Sequence, residues 1–299
     1  MTAETYPAAD DPEAPAWTQA ELVRLMDVEP QGAGRYLAPA HGPTIRNVVE
    51  AGQMLGSAVV AAAKEVPRQR VTSVSMIFSR VAKHTEPLSI EVDMLRSGRT
   101  LGTGQIHIRQ DDSLCCAGIA LLDATAPDLV RSAAPMPQVA PPDGLRPMAI
   151  PGTEVLGRDI RVVDDAYDPD PDRIGPPELF VWTRFRDAPD RDHLHAALLT
   201  QSTTHWTVAA ALRPHAGFGE AMAHRSISTG ITMATITFHD DADVSQWLLY
   251  GTRITYAGRG HAQSEGQIFT EDGRLVASYG VHAMLRAFQP RGSGSGELL

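Results

Sequence analysis

Two residues of the kinds that move protons stand where the sequence predicts the starts of two buried helices. They are Glu50 and His205. A helix start favours a neutral imidazole, which suits a base, and a carboxylate beside a buried helix can act as a general base or acid. If both side chains point into one pocket, they could move protons to and from a bound substrate. We therefore take both as catalytic candidates.

Each candidate also has a purely structural explanation. Glu50 could be the third-position partner of a helix cap at Asn47, and His205 could be a core histidine satisfied by a neighbour. The polar residues just before His205 are Gln201, Ser202, Thr203 and Thr204. They could line a patch for a substrate carbonyl, or bond back to the preceding helical turn. Trp206 could be core or a substrate contact.

Other common kinds of chemistry have no sequence support. His193 and His195 are two apart on a predicted helix and face apart, so they do not predict a metal site. The chain has no G-x-S-x-G elbow, no cysteine–histidine nucleophile signature and no glycine loop for phosphate. We expect no metal and no cofactor.

The order of predicted elements is that of an α+β fold rather than a βαβ fold. After a first helix at 17–28 and a short strand at 35–38, a helix at 47–64 is apolar on nearly every side, so we expect it to be buried. Strands follow at 71–81, 88–96, 100–109 and 114–123. The second half has strands at 155–163 and 179–185 and a buried helix at 193–212. Four more strands follow at 226–239, 247–257, 261–270 and 275–287.

The two halves resemble each other residue by residue. Gly98-Arg99 aligns with Gly258-Arg259, and Gly104-Gln105-Ile106 aligns with Gly266-Gln267-Ile268. Two unrelated antiparallel hairpins could give the same match, but the shared order of helix and strands favours one fold used twice.

The repeat sets the expected domain boundaries. We predict a disordered N-terminus at 1–14, a first repeat at 15–125, a proline-rich extended linker at 126–151, a second repeat at 152–288 and a disordered tail at 289–299. The two cysteines, Cys115 and Cys116, are adjacent on a predicted strand, as expected for reduced core thiols in the cytoplasm.

Composition excludes several partners. The 299 residues carry a formal net charge of −10, which argues against nucleic acid and against an anionic membrane surface. No run of about 18 apolar residues is present to span a bilayer, and the first residues do not look like a secretory signal.

Several motifs, in order, resemble the type II acyl-CoA thioesterases. In the first half these are Ala51-Gly52-Gln53, Val66-Pro67 and a strand ending Phe78-Ser79-Arg80. In the second half they are ALRPH from Ala211, ITFH from Ile236, WLLY from Trp247, GRG from Gly258 and GQIFTEDGRLVAS from Gly266. The resemblance covers about 33–288. It implies a double hotdog, in which each repeat wraps a long helix in an antiparallel sheet.

The resemblance also implies that the family's catalytic set is missing. That set is an Asp at the second buried helix, assisted by a Thr or Ser and by a Gln on later strands. The matching positions hold Thr204, Ile231 with Thr232 beside it, and Val281. The first-repeat strand histidine falls on Ser75. A hydroxyl does not replace a carboxylate as a base, so we expect the chemistry to have moved.

The expected function therefore has three forms. The first is hydrolysis of acyl-CoA or of an acyl group on a carrier protein, the second is dehydration, hydration or cyclisation on such a ligand, and the third is binding without catalysis. The predicted catalytic residues are Glu50, Thr204 and His205. The predicted substrate-binding residues are Gln53, Ser75, Gln201, Ser202, Trp206, Thr232 and Val281. We also expect a homo-oligomer.

Overall fold

The computed structural model describes residues 17–39, 48–148, 155–168 and 170–288. The two predicted disordered ends, the first residues of the predicted first repeat, the predicted cap at Asn47 and the end of the predicted linker lie outside these residues.

The first half is a helical start followed by a meander of strands. Its elements are β1 (Trp17–Thr18), α1 (Gln19–Met26), β2 (Glu29–Gly32), β3 (Arg35–Ala38), α2 (Ala51–Glu65), β4 (Arg70–Phe78), β5 (Leu88–Ser97), β6 (Leu101–Gln110) and β7 (Ser113–Asp123).

The second half has the same plan with a divided helix. Its elements are β8 (Val155–Leu156), β9 (Arg158–Val162), β10 (Glu178–Phe185), α3 (Asp192–Gln201), α4 (Thr207–Leu212), β11 (Ile227–Phe238), β12 (Leu248–Gly258), β13 (His261–Thr270) and β14 (Leu275–Ala287).

Twelve of these strands form one antiparallel sheet. Its order is β2-β3-β5-β6-β7-β4-β11-β14-β13-β12-β10-β9, and the two halves meet where β4 pairs with β11. On one side of that pair the strands follow as β4-β7-β6-β5-β3-β2, and on the other as β11-β14-β13-β12-β10-β9. Each half thus has the same relative strand order, so the predicted repeat is present in the topology. We call the sheet face that packs on the helices the inner face and the other the outer face. Inner-face residues such as Val74 and Met76 share the core with α2.

Helix α2 is buried along most of its length, as its all-round apolar pattern predicts. Its two glycines lie where α3 crosses it. A Cβ on Gly52 would stand 2.2 Å from the carbonyl oxygen of Gln201, and one on Gly56 would stand 3.0 Å from that of Ala197. Glycine is therefore what lets the two helices approach this closely.

The prediction for the start of α2 was wrong. The helix begins at Ala51, so Glu50 is the residue before it rather than the third residue within it. The Glu50 side chain makes no capping hydrogen bond. Its Oε2 lies 3.1 Å from Gln201 Nε2, in the second half of the chain.

The prediction of one continuous helix at 193–212 was also wrong. Helix α3 ends at Gln201, a tight turn follows at Ser202–Thr204, and α4 begins at Thr207. Hydroxyls compete with the helical bonds here, because Thr203 Oγ1 donates to the carbonyl of Thr200 at 2.7 Å. Thr204 and His205 therefore lie in a break between two helices, not at the start of a long one.

The proline-rich linker packs on the second half of the outer face. Trp182 Nε1 donates to the carbonyl of Ala140 at 2.9 Å. Met136, Val139 and Leu145 cover an apolar cluster on β10, β12 and β13 and their connections, formed by Val163, Trp182, Trp247, Leu249 and Phe269. The described part of the linker is therefore a cover for this section of the sheet.

Three helices are tied together at one carboxylate. Asp27, at the end of α1, pairs with Lys64 of α2 and with Arg191 just before α3, each at 2.5 Å. Burial raises the pKa of Asp27, but the hydrogen bonds and charges of Lys64 and Arg191 outweigh it and hold the pKa below its usual value.

Replacing Asp27 by Asn should destabilise the protein in a pH-dependent way. A carboxyl whose pKa is lowered by folding contributes stability above its unfolded pKa of about 3.9 and loses it as the pH falls through the folded value. We expect Asp27→Asn to cost about 1 kcal/mol near pH 7 and less near pH 3. Urea unfolding between pH 7 and pH 3 measures the free energy of unfolding, and Asp93→Asn, at an exposed position, is the control. An equal loss at both pH values would contradict the linkage.

Within the described ranges, no helix is long and apolar enough to cross a bilayer.

Candidate active site

Glu50 stands where the two halves of the molecule meet. Its backbone is extended (φ −64°, ψ 142°), and its carbonyl accepts from Met54 N–H at 3.1 Å as the first bond of α2. The side chain is 26% exposed, so the carboxylate reaches both solvent and the protein interior. The positive end of α2 and the free amides of its first turn stabilise negative charge there.

Gln201, the last residue of α3, bridges the two predicted catalytic residues. Its Nε2 donates to Glu50 Oε2 at 3.1 Å and lies 3.2 Å from His205 Nε2. The side chain is almost fully buried. Sequence analysis predicted that Gln201 binds substrate. In the structure its side chain lies between Glu50 and His205.

Arg158, the first residue of β9, orients this amide. Its Nη1 donates to Gln201 Oε1 at 2.9 Å. Because a guanidinium only donates, the oxygen of Gln201 must face Arg158, and the NH₂ group must then face Glu50 and His205.

His205 completes the cluster. Its Nε2 lies 3.4 Å from Glu50 Oε2, and its ring packs edge-on against Trp206 at 5.7 Å. If Gln201 donates to Nε2, the proton of a neutral His205 is on Nδ1. Nδ1 is buried and has no hydrogen-bond partner in the described part of the chain. We name Glu50, Gln201, His205 and Arg158 the acid–base cluster.

Other predicted site residues lie around this cluster. Gln53 is in the first turn of α2 and is buried. Thr204 Oγ1 stands beside Gly52, 2.8 Å from where a Cβ would be. Ser202 lies 3.4 Å from Gln201 Oε1. Trp206 is fully buried and packs on Tyr167, as a core residue does, although its Nε1 finds no hydrogen-bond partner among the described residues.

Three predicted substrate-binding residues are on the sheet, and two of them face away from the helices. Ser75 points to the outer face, where its Oγ bonds Thr235 Oγ1 at 2.7 Å. Thr232 sits at a bulge of β11 and bonds His282 on the same face. Val281 is fully buried on the inner face, and its carbonyl accepts from Ser264 Oγ at 3.5 Å. The periodicity of a strand turns Ser75 away from the helices.

A buried phenol fixes the end of α3 near the cluster. Tyr250 OH donates to the carbonyl of Leu199 at 2.9 Å. Burial raises the pKa of Tyr250 far above neutrality, so the hydroxyl stays protonated and keeps this bond. Leu199 is two residues before Gln201, so the bond holds the position from which the bridging amide extends.

Arg158 is the member of the acid–base cluster that sequence analysis did not identify. It is one of several arginines on the predicted strand at 155–163 and its turn, and nothing in its spacing singles it out. Its role depends on β9 reaching the end of α3, which only the folded chain shows. Among the described residues, no group of three or more His, Cys, Asp or Glu side chains is placed to hold a metal ion.

Comparison with known proteins agrees with this architecture. The acyl-CoA thioesterase N-terminal domain model matches residues 38–122, and the acyl-CoA thioesterase C-terminal domain model matches residues 131–279. The chain belongs to the acyl-CoA thioesterase II family. Its activity is that of the family, hydrolysis of acyl-CoA thioesters, as the resemblance of its motifs implied.

Individual relatives of the family are distant in sequence and similar in fold. Human acyl-coenzyme A thioesterase 8 is 22% identical over 261 residues, covering 79% of each chain. The tesB protein of Mycobacterium avium subs paratuberculosis superposes with a TM-score of 0.73 at 20% identity, covering 89% of this chain and 98% of its own. Acyl-CoA thioesterase II TesB2 from Mycobacterium marinum gives 0.72 at 24%, with the same coverage. The α+β double hotdog predicted from the sequence is confirmed.

Proposed function

We propose that this thioesterase uses Glu50 as the general base of hydrolysis. A water molecule held by the carboxylate gives it a proton while its oxygen forms a bond to the thioester carbonyl carbon. When the tetrahedral intermediate collapses, the carbon–sulfur bond breaks and the sulfur leaves with the electron pair. The proton returns from Glu50 to that sulfur, so the products are a carboxylic acid and a thiol.

The start of α2 supplies the electrostatic support for this step. The first amides of a helix have no partner within it and carry the positive end of the helix dipole. Glu50 and these amides are adjacent in the chain, so a carbonyl presented to the carboxylate lies within reach of the amides of Gly52 and Gln53. Donors placed where the oxyanion develops stabilise the transition state.

His205 has the lesser role in this mechanism. A thiol has a pKa of about 8.5, so its thiolate leaves without a strong acid. His205 Nε2, 3.4 Å from Glu50 Oε2, can share the proton that the carboxylate takes up. Thr204 and Ser202 line the same turn and are proposed to contact substrate.

The observation that carries the proposal is the meeting of Glu50 and His205 through Gln201. The test is release of free thiol from a panel of acyl-CoAs of increasing chain length, followed with a thiol-detecting dye. We expect release above a heat-killed control for at least one chain length. No release from any of them would overturn the proposal, and a thermal shift without turnover would indicate a binding protein.

Hydration or dehydration is the second candidate, because a carboxylate beside an imidazole can both deliver and remove protons. Hydration of an enoyl thioester adds hydroxide to the β-carbon and a proton to the α-carbon without releasing thiol. Loss of enoyl absorbance with no free thiol would therefore favour it. His205→Ala also separates the two. It should abolish hydration, which needs an acid as well as a base, but lower hydrolysis only about 10-fold.

Arg158 is proposed to position the cluster, so its substitution should weaken catalysis rather than binding. In Arg158→Met the Gln201 amide loses the donor that fixes its orientation. We expect kcat to fall about 10-fold with KM nearly constant, and Arg158→Lys to recover part of the loss. Steady-state kinetics measure both values. A rise in KM alone would show that Arg158 contacts substrate instead.

We further propose that the substrate is acyl-CoA or an acyl group on a carrier protein, and that the chain works as a homo-oligomer in the cytoplasm, where the buried Cys115 and Cys116 would remain reduced. The repeats are proposed to span 15–125 and 152–288.

A further inference from the structure

A buried phenol occupies the inner face of the sheet next to the acid–base cluster. Tyr250 of β12 is 1% exposed, and its hydroxyl reaches the carbonyl of Leu199 near the end of α3. Burial raises the pKa of Tyr250 most, and its neighbour Tyr279 raises it further. Ser202 and Arg158 act on that pKa in the opposite direction, so both side chains lie close to the phenol. The cluster and the sheet therefore meet at Tyr250.

A second ring lies beside the first. Tyr279 of β14 has its ring centroid 6.5 Å from that of Tyr250 and is 4% exposed. Its hydroxyl is 2.5 Å from Thr252 Oγ1, so its polar end is satisfied inside the core. On β13, between these two strands, a Cβ on Gly266 would stand 2.1 Å from the Tyr279 ring. The ring therefore lies directly over this glycine. We name Tyr250 and Tyr279 the tyrosine floor.

The first half has no ring at the matching place. Gly266 aligns with Gly104 of β6, and the residue beside each glycine on the next strand is Tyr279 in the second half and Ala120 in the first. The flexible Met94 covers Gly104 instead, with its Sδ 3.2 Å from where a Cβ would be. One half of the fold is thus complete without an aromatic ring here, so Tyr279 is not required by the architecture.

The two parts of a bound thioester have different requirements. The CoA part is large and charged, so it must extend from Glu50 toward solvent, which the 26% exposure of that side chain allows. The acyl chain is apolar and gains free energy by leaving water, so it must extend inward. Inward from Glu50, the next side chains are Gln201, then Ser202 and Tyr250. The acyl chain is therefore directed at the tyrosine floor.

We propose that the tyrosine floor restricts this enzyme to short acyl chains. This inference rests on the proposed function and names the substrate class of the same site. A short chain ends against Tyr250, because Tyr279 fills the space beside it. A longer chain would have to displace a packed ring whose hydroxyl is bonded to buried Thr252. Protein interiors are close-packed, so that displacement costs more than the added methylenes gain.

The test is kcat/KM for butyryl-, hexanoyl-, decanoyl- and palmitoyl-CoA, followed as release of free thiol. The wild type should prefer the two shorter chains. Tyr279→Ala removes the ring and leaves the space over Gly266 open. The ratio of kcat/KM for decanoyl-CoA to that for butyryl-CoA should then rise about 100-fold. Tyr279→Phe loses the same hydrogen bond but keeps the ring, so it should keep the preference for short chains.

The matched control is Tyr256→Ala, on the same strand as Tyr250 but 46% exposed. It removes an identical ring from the surface and should leave the order of preference unchanged. Circular dichroism shows whether Tyr279→Ala is folded, and Tyr279→Leu replaces it if it is not. A wild type that prefers decanoyl-CoA, or a ratio unchanged by loss of the ring, would overturn the chain-length limit and leave Glu50 as the base. Absence of thiol release from every chain would overturn the proposed function, and this inference with it.

Discussion

Glu50→Gln should reduce kcat by about 10²- to 10⁴-fold with little change in KM. The amide has the size of the carboxylate and still offers an oxygen to Gln201 Nε2, so the local hydrogen bond can remain. What it cannot do is accept a proton from water. Steady-state kinetics on the preferred acyl-CoA measure the loss.

The control is Glu65→Gln, at the other end of the same helix, where the carboxylate accepts from Tyr36 OH at 2.7 Å. It alters the same residue type on α2 away from the cluster, so kcat should stay within about two-fold of wild type. A Glu50→Gln enzyme with wild-type kcat would show that Glu50 is not the general base. Thr204 would then be the next residue to substitute.

Gly52→Ala should force α2 and α3 apart and destabilise the protein. The added methyl would meet the Gln201 carbonyl oxygen at 2.2 Å and Thr204 Oγ1 at 2.8 Å. Backbone atoms cannot move aside as a flexible side chain does, so α2 and α3 must separate. Overpacking of this kind costs about 1–3 kcal/mol. The separation also displaces Gln201, so activity should fall at temperatures where the variant is still folded.

Substitutions at two other glycines are the controls for this loss of stability, which thermal and urea unfolding measure. Gly56→Ala would meet the flexible Met26 Sδ at 2.7 Å and should be milder. Gly144→Ala would meet nothing within 4 Å and should be neutral. If Gly52→Ala unfolded at the same temperature and urea concentration as the wild type, the two helices could not be as close as described.

Periodicity and the internal repeat are enough to predict the sheet. Strands of this chain alternate inward and outward residues cleanly, and turns such as Asp272-Gly273 mark their ends, so the predicted and observed strands nearly coincide. Gly52 and Gly56 on α2 lie where the backbone of α3 comes closest to this helix.

The helix ends could not be predicted in the same way. Asn47 and Glu50 have the spacing of a cap, but Glu50 precedes the helix, and its carboxylate accepts from a residue 151 positions away. The run around Thr203 has apolar residues on both sides, which favours a continuous helix, but the chain leaves the helix there and Thr203 Oγ1 donates to the carbonyl of Thr200. Long-range polar contacts have no local signature, which is also why Arg158 was not found.

The acid–base cluster draws on both repeats, since Glu50 belongs to the first and the other three residues to the second. A dimer of identical single repeats would have to encode every one of these groups in each copy and would assemble two equivalent sites. Fusion removed that requirement, so each half was free to keep only its share. Under the proposed mechanism one chain makes one catalytic centre, and separated halves should regain activity only when mixed.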